Sequence, residues 1–198
     1  VTATLLAAAL VACTSGDVSL GRDPPAGNDG ATATTVLLGD PIIEATTDSD
    51  PAGQAEAFPF VATASGVAAS LAIYLDLSTT ADPIALGLYS DSSGAALAPD
   101  SHPDTLLASG SLARPTGGAW NQAAIAPTPV TTGVRYWIAI LGTAGLVQFR
   151  DITGLAGLGS ETSSAANLSS LPQAWPSGMR WSTTSASLYA PASNTSGP

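Results

Sequence analysis

Residues Val67–Leu77 read VAASLAIYLDL, and this stretch decides the fold class. Every odd position is apolar: Val67, Ala69, Leu71, Ile73, Leu75 and Leu77. The even positions Ala68, Ser70, Ala72, Tyr74 and Asp76 are mixed and partly polar. Period-two alternation puts successive side chains on opposite faces, the signature of a strand covered on one side. A helical reading from Leu71 would bring Ser78 onto the apolar face and gains nothing.

The same period recurs outward from there. Ile84, Leu86 and Leu88 alternate with Ala85, Gly87 and Tyr89, and Asp91-Ser92-Ser93-Gly94 supplies turn residues. Thr105–Leu112 is a further strand, closed by Pro115-Thr116-Gly117-Gly118. Trp120–Ala126 follows, bounded by Pro127 and Pro129. In Val134–Leu141 one face carries Val134, Tyr136, Ile138 and Ile140; the other carries Arg135, Trp137, Ala139 and Leu141. Both faces are largely apolar, which predicts a central strand. Leu146–Arg150 is expected to pair back on it across Gly142-Thr143-Ala144-Gly145 as a hairpin. Ile42-Ile43 and Ala57–Ala62 open the series, and Met179–Tyr189 closes it. About nine strands with Pro and Gly turns between them predict an all-β, antiparallel β-sandwich. The only helical expectation is one or two turns over Ala165–Leu171.

The flanks differ from this domain. Residues 1–13 read VTATLLAAALVAC, with an apolar run Leu5–Ala12 too short to span a bilayer and suited to an export signal. Leu10-Val11-Ala12-Cys13 resembles the lipobox of bacterial lipoproteins, in which the Cys is lipidated and becomes the mature N-terminus. Cys13 is the only Cys, so no disulfide competes for it. Residues 14–35 are rich in Gly, Pro, Asp, Ser and Thr without apolar periodicity, which predicts a flexible tether. The domain is expected over 36–190, with 191–198 as a tail or the start of a linker. The resemblance implies an extracytoplasmic protein, lipid-anchored to the cell envelope, or secreted if Cys13 is unmodified.

Composition narrows the partners. Apolar residues make up 45% of the chain and charged residues only 10%, with a net charge of −10 and no Lys. That charge repels phosphate backbones and anionic headgroups, so nucleic acid is excluded as a partner class, and the membrane is reached only through the anchor. Neutral glycans and calcium remain compatible. A monomer, or one part of a larger multidomain chain, is expected.

The chemistry of bond making finds little support. Gly-x-Ser-x-Gly does not occur, and the lone His102 lies in a Pro-flanked loop that reads as a solvated turn. One Cys and one His cannot assemble a conventional zinc site. Calcium needs only oxygens, and Glu44, Asp48 and Asp50 form a carboxylate group with hydroxyl residues between them. That group reads either as a solvated acidic turn or as a structural calcium site, the one cofactor the sequence suggests. Nothing in the spacing selects a glycosidase pair. Among the aromatics, Trp120 is expected to anchor the core. Trp137 would line a second core layer or a groove, and Trp175, in the loop QAWPSG, is expected to be exposed. Arg150, Asp151 and Glu161 border the same long segment and are available to hydrogen-bond sugar hydroxyls.

The stretch AEAFPFVATASGVAASLAIYLDLSTTADPIALGLYSDSSG, followed by LLASGSL, GAWNQ and TTGVRYWIAILG, resembles jelly-roll accessory modules of secreted bacterial surface and carbohydrate-active proteins, over roughly residues 38–190. The resemblance implies a jelly-roll-like sandwich and a non-catalytic role; a fold alone names no ligand. The expected function is a surface-anchored module that binds neutral polysaccharide or cell-wall glycan through Trp137, Trp175, Arg150, Asp151 and Glu161. The alternatives are a structural or adhesive spacer with protein partners and, behind it, a carboxylate-dependent hydrolase.

Overall fold

The computed structural model describes residues 35–94, 97–153, 159–181 and 183–193. Cys13 and the tether up to residue 34 lie outside them. No α-helix occurs among the described residues, which form twelve strands: β1 Val36–Gly39, β2 Thr46–Pro51, β3 Ala55–Val61, β4 Gly66–Leu75, β5 Ile84–Asp91, β6 Pro103–Leu112, β7 Ala119–Val130, β8 Arg135–Gly142, β9 Leu146–Thr153, β10 Glu161–Thr162, β11 Thr183–Ala186 and β12 Leu188–Pro191.

The pairing is nested. β2 pairs with β9, β3 with β8, β4 with β7 and β5 with β6, all antiparallel. These pairs fall alternately in a seven-stranded and a five-stranded sheet, which is the jelly-roll arrangement. The short strands β1, β10, β11 and β12 extend this frame of eight and bring the total to twelve, against the nine or so expected.

Alternation decides what each sheet turns inward. Leu71, Ile73 and Leu75 of β4 and Phe149 of β9 meet Phe58, Ile84, Leu86, Leu88, Ile138 and Ile140 of the other sheet in one core. Phe58 and Phe149 close it edge to face, with ring centroids 5.5 Å apart. β8 lies between β3 and β5 and is apolar on both sides, as its sequence requires.

Four local expectations are corrected. Ile42 and Ile43 are exposed, because the Asp40 carboxylate accepts the Ile42 N–H at 2.9 Å and turns the chain between β1 and β2. β8 and β9 form no hairpin. The turn 142–145 carries the chain from one sheet to the other, where β9 pairs with β2 and β11. β7 runs through Pro127 and Pro129, tolerated because among the described residues it pairs on one edge only, with β4. Residues 165–171 are not helical; they belong to an extended segment drawn across the five-stranded sheet.

Candidate functional site

The two sheets present very different outer faces. That of the five-stranded sheet is roofed by residues 163–177. Ser163 N–H donates to Ala55, Leu168 N–H to Gly53 and Trp175 N–H to Asp104, while Leu106 N–H donates to Gln173. Gly53 sits at φ +79°, and a Cβ there would stand 2.8 Å from Asn167 Cα, so the roof needs glycine at this turn. Beneath it Tyr89, Trp137, Leu141, Leu171 and Trp175 form a second, smaller core. Each such side chain contributes about 2 kcal/mol by burial.

Two buried carboxylates stand on this side of the sheet, and one of them, Glu161, ties the roof down. Asp91, on β5, accepts Trp137 Nε1–H at 2.8 Å, Ser101 Oγ–H at 2.7 Å and the Ser93 N–H at 3.0 Å. Arg135 stands 3.7 Å away. Burial works to raise the Asp91 pKa, but these hydrogen bonds outweigh it and hold the carboxyl below its ordinary value. Glu161, on β10, is fully buried and accepts from Trp175 Nε1 at 3.2 Å and Gly178 N–H at 3.3 Å. His102 Nδ1 lies 2.7 Å from its other oxygen and Arg180 Nε 3.3 Å. Trp137 and Trp175, expected to offer a ring to a ligand, are thus interior, and Glu161 is a hub of the roof. His102 does meet an acid, but among the described residues no hydroxyl is hydrogen-bonded to its Nε2.

The seven-stranded sheet has an outer face that no described segment covers. Tyr74 of β4 and Trp120 of β7 are direct cross-strand partners, and Tyr189 of β12 stands opposite Ala72. Trp120 packs edge to face on both tyrosines, at 5.7 Å from Tyr74 and 5.0 Å from Tyr189. All three rings are half-buried, and Ala72 between them is buried. Polar groups border the cluster: exposed Gln122 bonds Ser70, and Arg150 Nη2 meets Asp76 at 2.6 Å. Hydrogen bonds from the Ser78 hydroxyl and N–H, then the Arg150 guanidinium, lower the Asp76 pKa to about 2. Trp120 was expected in the core. The phase of Ala123 and Ile125, which are buried, places Trp120, Gln122 and Ala124 on the opposite side, and that phase is legible in the sequence.

A third polar group lies at the inner edge of the sandwich. Asp48 and Asp50 are in strand β2 rather than a loop, and Asp50 is only 4% exposed. It faces Glu56 of β3, also 4% exposed. Ser160 and Asp151 are fully buried nearby, and Asp151 acts on Glu56 through its charge. Burial first, then Glu56 and Asp48, push Asp50 up to about 9. Burial also lifts Glu56, against the lowering influence of Ser160, to about 7. Glu44 is separated from this pair; partial burial and its neighbour Asp40 raise its pKa. Glu44, Asp48 and Asp50 therefore do not converge, and among the described residues no three His, Cys, Asp or Glu side chains make a metal-holding group.

Among the described residues, hollows flank the roof on two sides. One, of about 220 Å³, lies between Pro51–Gln54 and Ser163–Asn167. The other, of about 410 Å³, is lined by Ser109, Ser111, Thr143, Ser169 and Ser170 among others. Neither is lined by an acid.

No protein-family model matches the chain, and no curated protein matches it either.

Proposed function

We propose that this chain is a non-catalytic, cell-surface module that binds a neutral glycan on the outer face of its seven-stranded sheet. One observation carries the reading: Tyr74, Trp120 and Tyr189 form a half-exposed aromatic surface across three strands, on the face that no other described segment roofs. Aromatic rings offer an apolar surface for the C–H face of a pyranose, and the bordering Gln122 and the Arg150–Asp76 pair supply hydrogen-bonding groups of both kinds. The net charge of −10 favours an uncharged ligand over a polyanion. The ligand-facing role expected of Trp137 and Trp175 passes to Trp120 and its two tyrosines. Arg150 alone of the expected polar set borders that surface.

The competing reading is a spacer with protein partners. Burial of Trp137 and Trp175 favours it, because the largest aromatics are then spent on the fold.

The test is retention of the full chain on insoluble neutral polysaccharides and on a glycan array. The expected result is saturable retention that falls at least tenfold, about 1.4 kcal/mol, in Trp120→Ala. Trp181→Ala, at an exposed site away from the sheet face, should leave it unchanged. Absence of retention on every neutral glycan, or retention indifferent to both Trp120→Ala and Tyr189→Ala, refutes the reading.

A further inference from the structure

The inner edge of the sandwich holds two carboxylates where an apolar core would be expected. Asp50 reaches it from β2 and Glu56 from β3, both 4% exposed, and their carboxyls lie within hydrogen-bonding reach of each other. Glu56 stands in phase with Phe58, so it points into the same core as that ring. Asp48 and Asp151 add like charge, and among the described residues neither member of the pair makes a salt bridge. Burying ionised groups of one sign without compensation is costly by several kcal/mol per ion.

A second observation points to what compensates. Ser160, from the segment entering β10, is wholly buried beside Glu56, yet its Oγ makes no hydrogen bond of good geometry. A buried hydroxyl normally finds a partner. The outer oxygen of Asp50, Oδ2, is likewise buried without a hydrogen bond. Three oxygen donors from three separate elements thus converge on one place with bonding capacity unspent.

We infer that Asp50, Glu56 and Ser160 form a site for a hard divalent cation of the calcium type. The donor set is oxygen only, which disfavours zinc and other borderline metals. Magnesium keeps several of its waters and seeks strict octahedral geometry, whereas calcium accepts irregular carboxylate and hydroxyl sets. The cation neutralises both members of the close pair at once. It also ties β2 of one sheet to β3 of the other at the sandwich edge, next to the β10 junction where the roof begins. This set shares only Asp50 with the Glu44, Asp48 and Asp50 group suggested by spacing, and it does not depend on the glycan reading.

The experiment is calcium titration of the chelator-treated full chain, followed by isothermal calorimetry and by thermal unfolding. Saturable binding with a rise in Tm is expected. Asp50→Asn and Glu56→Gln should each weaken binding at least tenfold while keeping the far-ultraviolet spectrum of the fold, and Glu44→Gln should leave binding unchanged. Neither heat nor a Tm shift at millimolar calcium in the folded wild type overturns the inference, and so does binding that survives both Asp50→Asn and Glu56→Gln. If the wild type binds no calcium but Asp50→Asn is more stable than it, the pair shares a proton instead, and the cation site is refuted.

Discussion

Two sets of buried carboxylates lie on opposite sides of the same five-stranded sheet, and they solve the cost of burial in opposite ways. On the outer side Asp91 and Glu161 are surrounded by donors: two indole N–H groups, serine hydroxyls, backbone N–H groups, and the cations Arg135 and Arg180. On the inner edge Asp50 and Glu56 face each other, with further acids behind them and no salt bridge among the described residues. Strand pairing brings the two sets within one residue of each other, since β10 sets Glu161 opposite Ala57 and Thr162 opposite Glu56. A buried acid is therefore informative only together with its donors. Asp91 holds Trp137, Ser93 and Ser101 in place, Glu161 fastens the roof through Trp175 and Gly178, and nothing about them asks for a ligand. The inner pair does.

The largest expected effect comes from breaking the outer set. Glu161→Ala removes the acceptor for Trp175 Nε1 and Gly178 N–H and takes the carboxylate away from Arg180 and His102. The loss should be about 3 kcal/mol, read as a lowered urea midpoint. Hydrogen exchange should show the amides of 163–177 opening before those of β8. If protection falls equally in both, the roof and the sandwich are one cooperative unit rather than two.

A pH series compares the sets directly in the metal-free chain. Asp50 and Glu56 titrate near 9 and 7 when folded, against about 4 when unfolded. Between those limits the folded state keeps protons that the unfolded state has released, so stability falls as pH rises from about 4 towards 9. The groups facing this pair are Asp48 of β2 and Asp151 of β9, both acids, and their ionisation deepens the fall. Asp91 and Asp76 act with the opposite sign. Their folded pKa values are lowered, so their stabilisation is present above about 4 and is lost as pH drops through the folded values. Stability in chelator should accordingly peak near pH 4–5, and saturating calcium should flatten the alkaline limb. An optimum at pH 7–8 in chelator contradicts the uncompensated inner pair.

Much of the sandwich was legible because alternation is a local signal. The run Val67–Leu77 identifies β4, and the double apolar face of Val134–Leu141 identifies a central strand. Which strands share a sheet is a non-local matter: the Gly142–Gly145 turn has hairpin composition, yet it crosses between sheets. The roof was illegible for a related reason. Residues 163–177 have no period of their own, since apart from Ser164 N–H to Pro176 their backbone bonds go outward, to Ala55, Gly53, Asp104 and Leu106. That also hid the fate of Trp175, whose flanking prolines suggest an exposed loop. The aromatic surface and the inner acids had signals in phase. Trp120 alternates out of step with Ala123 and Ile125, and Glu56 alternates in step with Phe58 and Phe60. A charged residue in register with core phenylalanines was the readable mark of the inner site.

The smallest effects give the sharpest comparison, because two buried serines differ only in their partners. Ser101, 3% exposed, donates to Asp91 at 2.7 Å and accepts from Arg135 at 2.6 Å. Ser160, fully buried, lies beside Glu56, and its hydroxyl makes no hydrogen bond of good geometry. In chelator, Ser101→Ala should cost about 2 kcal/mol, since it strands a carboxylate and a guanidinium, while Ser160→Ala should change stability by less than about 0.5 kcal/mol. Adding calcium should separate wild type from Ser160→Ala, because only the wild type regains the third oxygen, and should leave the cost of Ser101→Ala as it was. Equal losses for the two serines in chelator would mean that Ser160 already spends its hydroxyl within the protein. The inner edge would then be a proton-sharing pair of the same self-contained kind as the outer network, with no vacancy for an ion.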